Sequence, residues 1–201
     1  MKNKKLPNKL TNLRLILSGV IIILLLFPFN MLNINFKKYL INNIVILDVK
    51  MVIVGILFII ASITDFLDGY LARKYNNMSD YGKLMDPIAD KVLVNSILIV
   101  LSSYGYIYPI VPVIVIIRDV IINSLRMLAA TSGVAEPALV VGKFKTAFLM
   151  IGITLKLFGN LPFGLLNIAV DDLFIIAGTL LSVISGMQYA KAYRKYMKME
   201  K

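Results

Sequence analysis

Apolar residues gather into six long stretches separated by short polar breaks, at residues 12–29, 51–72, 84–104, 108–130, 140–159 and 169–190. Each can supply roughly 20 residues of helix, about the length that crosses a bilayer core. The pattern predicts an all-α integral membrane protein with six transmembrane helices. In 201 residues it leaves no room for a separate soluble domain, so residues 1–201 read as a single membrane domain. The segment near 30–50, NMLNINFKKYLINNIVILDVK, is mixed. It is expected to lie at the interface or to extend the second helix. The start, MKNKKLPNKLTNLRLILSGVIIILLLFPF, has the basic lead and apolar run of a signal peptide. No small-residue cleavage site follows Phe29 and more spans come after it, which predicts an uncleaved first helix.

Six spans put both termini on one side, and the distribution of cations makes that side cytoplasmic. Lys2, Lys4, Lys5, Lys9 and Arg14 flank the start, and Lys191, Arg194, Lys195, Lys198 and Lys201 flank the end. Arg73, Lys74, Lys83, Lys143 and Lys145 fall in or beside loops of the same side. Asp171 and Asp172 mark the opposite side, while Lys37, Lys38 and Lys50 run against the bias. A net charge of +11 could suit nucleic acid, but 59% hydrophobic residues and a mean hydropathy of +0.81 favour an anionic membrane surface instead. With no cysteine, disulfides and thiolate metal sites are excluded. Without histidine, a general base must be a carboxylate, lysine or tyrosine, and zinc lacks its usual ligands.

Four aspartates interrupt the apolar pattern. Asp65 and Asp68 are three apart, Asp86 and Asp90 four apart, and either spacing puts a pair on one helix face. Gly69, Ala72, Arg73 and Gly82 lie between them, so the run is D-x2-D-G-x2-A-R-x8-G-x3-D-x3-D. Four carboxylates in apolar surroundings repel one another and are costly to bury. A bound cation relieves both problems, and oxygen-only ligands suit Mg²⁺ or Mn²⁺. The first pair would end helix two and the second begin helix three at the same depth, across a polar turn from Tyr75 to Asp80. Asp86 before Pro87 suits a helix start. Carboxylates that merely cap helix ends are the plainer alternative, against which stands their position within spans. Gly69 and Ala72 either let helices approach or clear space beside Asp68. Arg73, one turn beyond, either snorkels or meets a diphosphate.

This run resembles the signature of the CDP-alcohol phosphatidyltransferases, with Asp65, Asp68, Gly69, Ala72, Arg73, Gly82, Asp86 and Asp90 filling every specified position. The stretch from Pro7 to Arg14 resembles the P-N-x-L-T-x2-R entry of bacterial members. With ASITDFLDGYLARK, GKLMDPIADKVLV, IIRD and GKFKT, the resemblance covers nearly the whole chain. It implies that family's fold, a homodimer, and a cytoplasmic-face active site in the cell membrane. It also implies transfer of a phosphatidyl group from CDP-diacylglycerol to an alcohol with release of CMP, the alcohol being glycerol 3-phosphate in the bacterial members most similar here. Two divalent ions, Mg²⁺ or Mn²⁺, would sit on Asp65, Asp68, Asp86 and Asp90. The donor would lie along Asn8, Thr11, Asp68, Gly69, Ala72, Arg73 and Gly82. Asp90, at the far end of the array, is the candidate general base. One departure concerns Asp119, where family members commonly have the longer glutamate.

Arg118, beside Asp119 inside the fourth span, needs a partner or an anionic ligand. The run Gly142-Lys143-Phe144-Lys145-Thr146 looks like a phosphate loop but is not one, because the earlier glycine of that motif would be Pro137. Its paired lysines still suit a phosphate monoester. Arg118, Lys143 and Lys145 are therefore the candidate acceptor-phosphate site, with Arg126 in reserve; an internal Arg118–Asp119 pair is the structural alternative. Inositol phosphate, serine or phosphatidylglycerol would be the other acceptors within the family. An aspartate-rich intramembrane prenyltransferase would need asparagine at Thr64 and an acid at Ala72. A cation transporter would leave Gly69, Arg73 and Gly82 unexplained.

Overall fold

The protein is described by a computed structural model that covers the backbone of residues 6–75, 80–131 and 140–197, with side chains for 10–66, 85, 88–127 and 140–193. Among the described residues six α-helices follow the six apolar stretches: α1 (Leu6–Leu26), α2 (Val49–Tyr75), α3 (Asp80–Ser103), α4 (Ile110–Thr131), α5 (Val140–Leu157) and α6 (Val170–Met197). Two contain windows long and apolar enough to cross a bilayer, Val49–Phe66 and Val170–Tyr193, with their charges (Lys50, Asp65, Asp171, Asp172 and Lys191) near the window ends, and Leu10–Leu26 of α1 is a shorter one. α4 and α5 are apolar too, but Arg118, Asp119 and Arg126 interrupt the first, and Lys143, Lys145 and Lys156 the second.

Helix ends are set by residues that tolerate left-handed backbone. Gly105 (φ 77°) and Gly159 (φ 65°) follow α3 and α5. After each, paired backbone bonds close the last turn: Gly105 N–H to Ser102 O with Tyr106 N–H to Leu101 O, and Gly159 N–H to Lys156 O with Asn160 N–H to Leu155 O. The segment between α1 and α2 does not extend the second helix. It forms a 3-10 turn (Phe29–Leu32) and an antiparallel hairpin, β1 (Lys38–Ile41) on β2 (Val45–Asp48). Asn42 and Asn43, both at positive φ, make the tight turn that such a hairpin requires.

The core joins Ile21 and Leu25 of α1, Phe58 of α2, Leu93 and Ile97 of α3, and Leu149 and Ile153 of α5. α1 packs on both α2 and α3, and α6 packs on α4 and α5. The α5–α6 seam is close because a Cβ on Gly152 would come within 3.0 Å of the Ile175 backbone nitrogen, and one on Gly178 within 3.1 Å of that of Leu149. Large apolar side chains such as Ile16, Ile23, Phe66, Leu173 and Leu180 point outward, as a lipid-facing surface requires. α3 begins at Asp80, so Asp86 and Pro87 fall inside it rather than at its start; Asp80 has the same N-terminal preference.

Contacts at one end fix the direction of α1, α2, α3, α5 and α6. Lys50 Nζ donates to Leu25 O at 2.8 Å, and the Tyr104 hydroxyl donates to the same carbonyl. Lys156 pairs with Asp171 and Asp172 at 2.9 and 2.8 Å, where the two acids also face the positive end of α6. This end therefore holds the finish of α1, α3 and α5 and the start of α2 and α6. The opposite end holds the start of α1, α3 and α5 and the finish of α2 and α6.

Candidate functional site

Ionisable side chains converge at that opposite end, around a cavity of about 590 Å³. Asp65 from α2 and Asp90 and Lys91 from α3 line it together with Arg118, Asp119 and Arg126 from α4, Lys143 and Lys145 from α5, and Tyr189 from α6. Five sequence-predicted site residues, Asp65, Asp90, Arg118, Lys143 and Lys145, thus border one space. Among the described residues α2 and α3 meet chiefly through α1, which packs on both, rather than along a seam of their own. α1 also supplies a charge. Arg14, fully buried, pairs with Asp65 at 2.8 Å instead of snorkelling to the surface.

Asp90 points one oxygen, Oδ1, into a position screened from solvent, with no hydrogen-bond partner among the described residues. A buried carboxylate oxygen in that state is costly, and a cation or a hydroxyl proton would relieve it. Among the described residues no group of three or more acids could by itself hold a metal. Asp65 and Asp90 are half of the expected ligand set; Asp68 and Asp86 lie outside the described side chains, as do Asn8, Gly69, Ala72, Arg73 and Gly82. Thr11 is buried on α1, one turn before Arg14. The all-oxygen donor set and the unsatisfied Asp90 oxygen fit a hard divalent ion.

The cationic wall is built around Asp119. Its Oδ1 accepts from Arg118 Nη1 at 2.9 Å and from Lys145 Nζ at 2.7 Å, so the arginine–aspartate pair and the lysine are one network. Arg118 Nη2 donates to Ser185 Oγ at 2.8 Å, and the Ser185 hydroxyl donates in turn to Ser182 O at 3.0 Å. Arg126 Nη2 donates to the Tyr189 hydroxyl at 2.5 Å. Lys143 is exposed at the rim. Arg118, Arg126, Lys143 and Lys145 line this side of the cavity together with Asp119, an excess of positive charge that suits an anion carrying more than one negative charge.

Ser182, Ser185, Tyr189 and Tyr193, spaced three or four apart along α6, are all buried and form a polar stripe along one face of that helix. That spacing was legible, but the partners that make it matter sit on α4. A second, apolar cavity of about 370 Å³ between α2 and α5 adjoins the polar one through Ser62, Phe66 and Met150, with Ile59, Ile63, Ile151 and Leu155 as its walls.

The family model described as CDP-alcohol phosphatidyltransferase matches residues 4–184. A Bacillus subtilis (strain 168) protein named CDP-diacylglycerol–glycerol-3-phosphate 3-phosphatidyltransferase is 35% identical over 186 residues, 92% of each chain. Proteins of the same name from Mycoplasma pneumoniae and Rickettsia felis are 40% and 32% identical, over 77% and 96% of this chain and 68% and 98% of their own lengths. With the family match running through both walls of the cavity and relatives aligned along most of its length, this chain belongs to the CDP-alcohol phosphatidyltransferase family.

Proposed function

We propose that the protein transfers the phosphatidyl group of CDP-diacylglycerol to glycerol 3-phosphate, giving phosphatidylglycerophosphate and CMP in phospholipid biosynthesis. The observation that carries this reading is one cavity with Asp65 and the unsatisfied Asp90 oxygen on one wall and Arg118, Arg126, Lys143, Lys145 and Asp119 on the other. The names of the relatives supply both substrates. The adjoining apolar cavity suits the donor's acyl chains.

Asp65, Asp68, Asp86 and Asp90 would hold two Mg²⁺ or Mn²⁺ ions. Bound there, such ions neutralise the donor diphosphate and the charge that grows on departing CMP. Asn8, Thr11, Asp68, Gly69, Ala72, Arg73 and Gly82 hold the nucleotide end. Arg118, Lys143 and Lys145 grip the acceptor phosphate through charge-assisted hydrogen bonds. Asp119 keeps Arg118 and Lys145 on one oxygen and so fixes where that grip lies. Asp90 takes the proton of the acceptor hydroxyl as its oxygen bonds to the β-phosphorus. The bond from that phosphorus to the bridging oxygen breaks, and CMP leaves with the electron pair. All six helices cross the membrane, with both termini and the cavity mouth on the cytoplasmic side, and two copies form a homodimer.

The test is CMP release by purified protein with CDP-diacylglycerol, Mg²⁺ and a panel of glycerol 3-phosphate, inositol phosphate and serine. Glycerol 3-phosphate should be preferred; preference for another member overturns the acceptor and spares the family. Because the chain has no cysteine, single cysteines near Lys9 and Asp171 can be labelled from either side of sealed vesicles to read the topology.

A further inference from the structure

Tyr189 touches two of the cavity's cations at once. The guanidinium carbons of Arg118 and Arg126 lie 5.5 and 4.9 Å from its ring centroid, and its hydroxyl accepts from Arg126 Nη2 at 2.5 Å. The ring is buried and backed by Tyr193, stacked at 6.0 Å with 11° between the planes, so it offers a fixed surface. Two guanidiniums drawn to one wall repel each other unless something answers their charge. The ring's π-face does so in part. Of the two guanidiniums Asp119 answers only Arg118, sharing that oxygen with Lys145, and among the described residues Arg126 has no carboxylate within ion-pair distance. Arg118 Nε is also buried without a hydrogen-bond partner. The wall is therefore still short of negative charge, in the place where the cavity is open to a ligand.

We infer that Tyr189 is a positioning residue that holds Arg118 and Arg126 as a paired grip for a phosphate monoester dianion, with Arg126 itself a phosphate ligand. The identity of that ligand as glycerol 3-phosphate rests on the function proposed above. The pairing follows from geometry: α4 carries the two arginines two turns apart, and α6 inserts one aromatic ring against both. A neutral acceptor would give no reason to gather these charges at an aromatic wall.

Two variants separate the contributions. Tyr189→Phe keeps the ring and removes the hydroxyl, while Tyr189→Leu removes both. Each is read by CMP-release kinetics and, independently of turnover, by calorimetric titration of the full-length protein with inorganic phosphate. The acceptor KM should rise about 2- to 10-fold in Tyr189→Phe and about 5- to 50-fold in Tyr189→Leu. Donor KM, kcat and Tm should hold in Tyr189→Phe, and phosphate affinity should fall in the same order. Arg126→Gln should behave like Tyr189→Leu and carries the decision with Tyr189→Phe if the leucine variant does not fold. A lower Tm with unchanged acceptor KM and phosphate affinity would reduce Tyr189 to packing and overturn the inference, as would equal rises in donor and acceptor KM. Wild-type protein that ignores glycerol 3-phosphate yet binds inorganic phosphate, with that binding weakened in Tyr189→Phe, refutes the proposed acceptor and upholds the grip.

Discussion

Replacing Lys145 with methionine tests whether the Asp119 network serves the acceptor or only the fold. Lys145 Nζ and Arg118 Nη1 share one oxygen of Asp119, at 2.7 and 2.9 Å, and the lysine side chain is 6% exposed. Removing one partner of a buried pair usually costs about 3–5 kcal/mol, because the other charge is stranded. Here Asp119 keeps Arg118, so the carboxylate is not stranded, and methionine fills most of the lysine's volume. The expected loss of stability is correspondingly smaller, about 1–2 kcal/mol. A charge-assisted hydrogen bond to the acceptor phosphate is a separate loss of about 1.5–3 kcal/mol, or roughly 10- to 150-fold in acceptor KM. The assay is CMP release against glycerol 3-phosphate at saturating donor, and against donor at saturating acceptor. Acceptor KM should rise within that range while donor KM stays within about 2-fold. Lys145→Arg, which keeps a charge and several donors, should recover part of the loss. An unchanged acceptor KM with a fall in Tm would show that Lys145 does no more than neutralise Asp119, and the acceptor site would have to be sought elsewhere.

Asp90→Asn should keep calorimetric binding of CDP-diacylglycerol while losing turnover; loss of donor binding as severe as in Asp65→Asn would make Asp90 chiefly a ligand. Asp65→Asn should abolish CMP release and also weaken the partnership with buried Arg14, lowering stability by about 1–3 kcal/mol, less than for a sealed pair because Asp65 is 38% exposed. EDTA should silence the wild-type enzyme and Mg²⁺ or Mn²⁺ restore it, and full activity in EDTA would sink the two-ion reading. Gly152→Ala, far from the ionisable cluster, should cost about 1–3 kcal/mol in thermal stability with unaltered KM values, since the new Cβ would meet the Ile175 backbone at 3.0 Å; a wild-type Tm would mean that the α5–α6 seam yields.

Six apolar stretches were enough to locate six helices, because a long apolar run between polar breaks satisfies its backbone groups within its own segment as a helix. The spacing of Asp65 and Asp90 within the aspartate run, and the cations Arg118, Lys143 and Lys145, were likewise written along the chain, since ionisable residues stand out against an apolar background. What the chain alone left undecided is which helix neighbours which. Spans that are apolar nearly all round carry little directional pattern, so nothing local announced that α1 would pack on both aspartate helices and bury Arg14 against Asp65. The hairpin at 38–48 was also hidden, its apolar residues reading as readily as an extension of the second helix, whereas Asn42 and Asn43 turn the chain at positive φ. The cationic wall depended on distance in space rather than in sequence. Asp119 meets Lys145 across 26 residues and Arg118 meets Ser185 across 67, contacts that exist only once α4, α5 and α6 are packed. Residue type set which groups could carry charge into the membrane; helix packing decided which of them share a counter-ion, because Coulombic and hydrogen-bond energies fall off within a few ångströms.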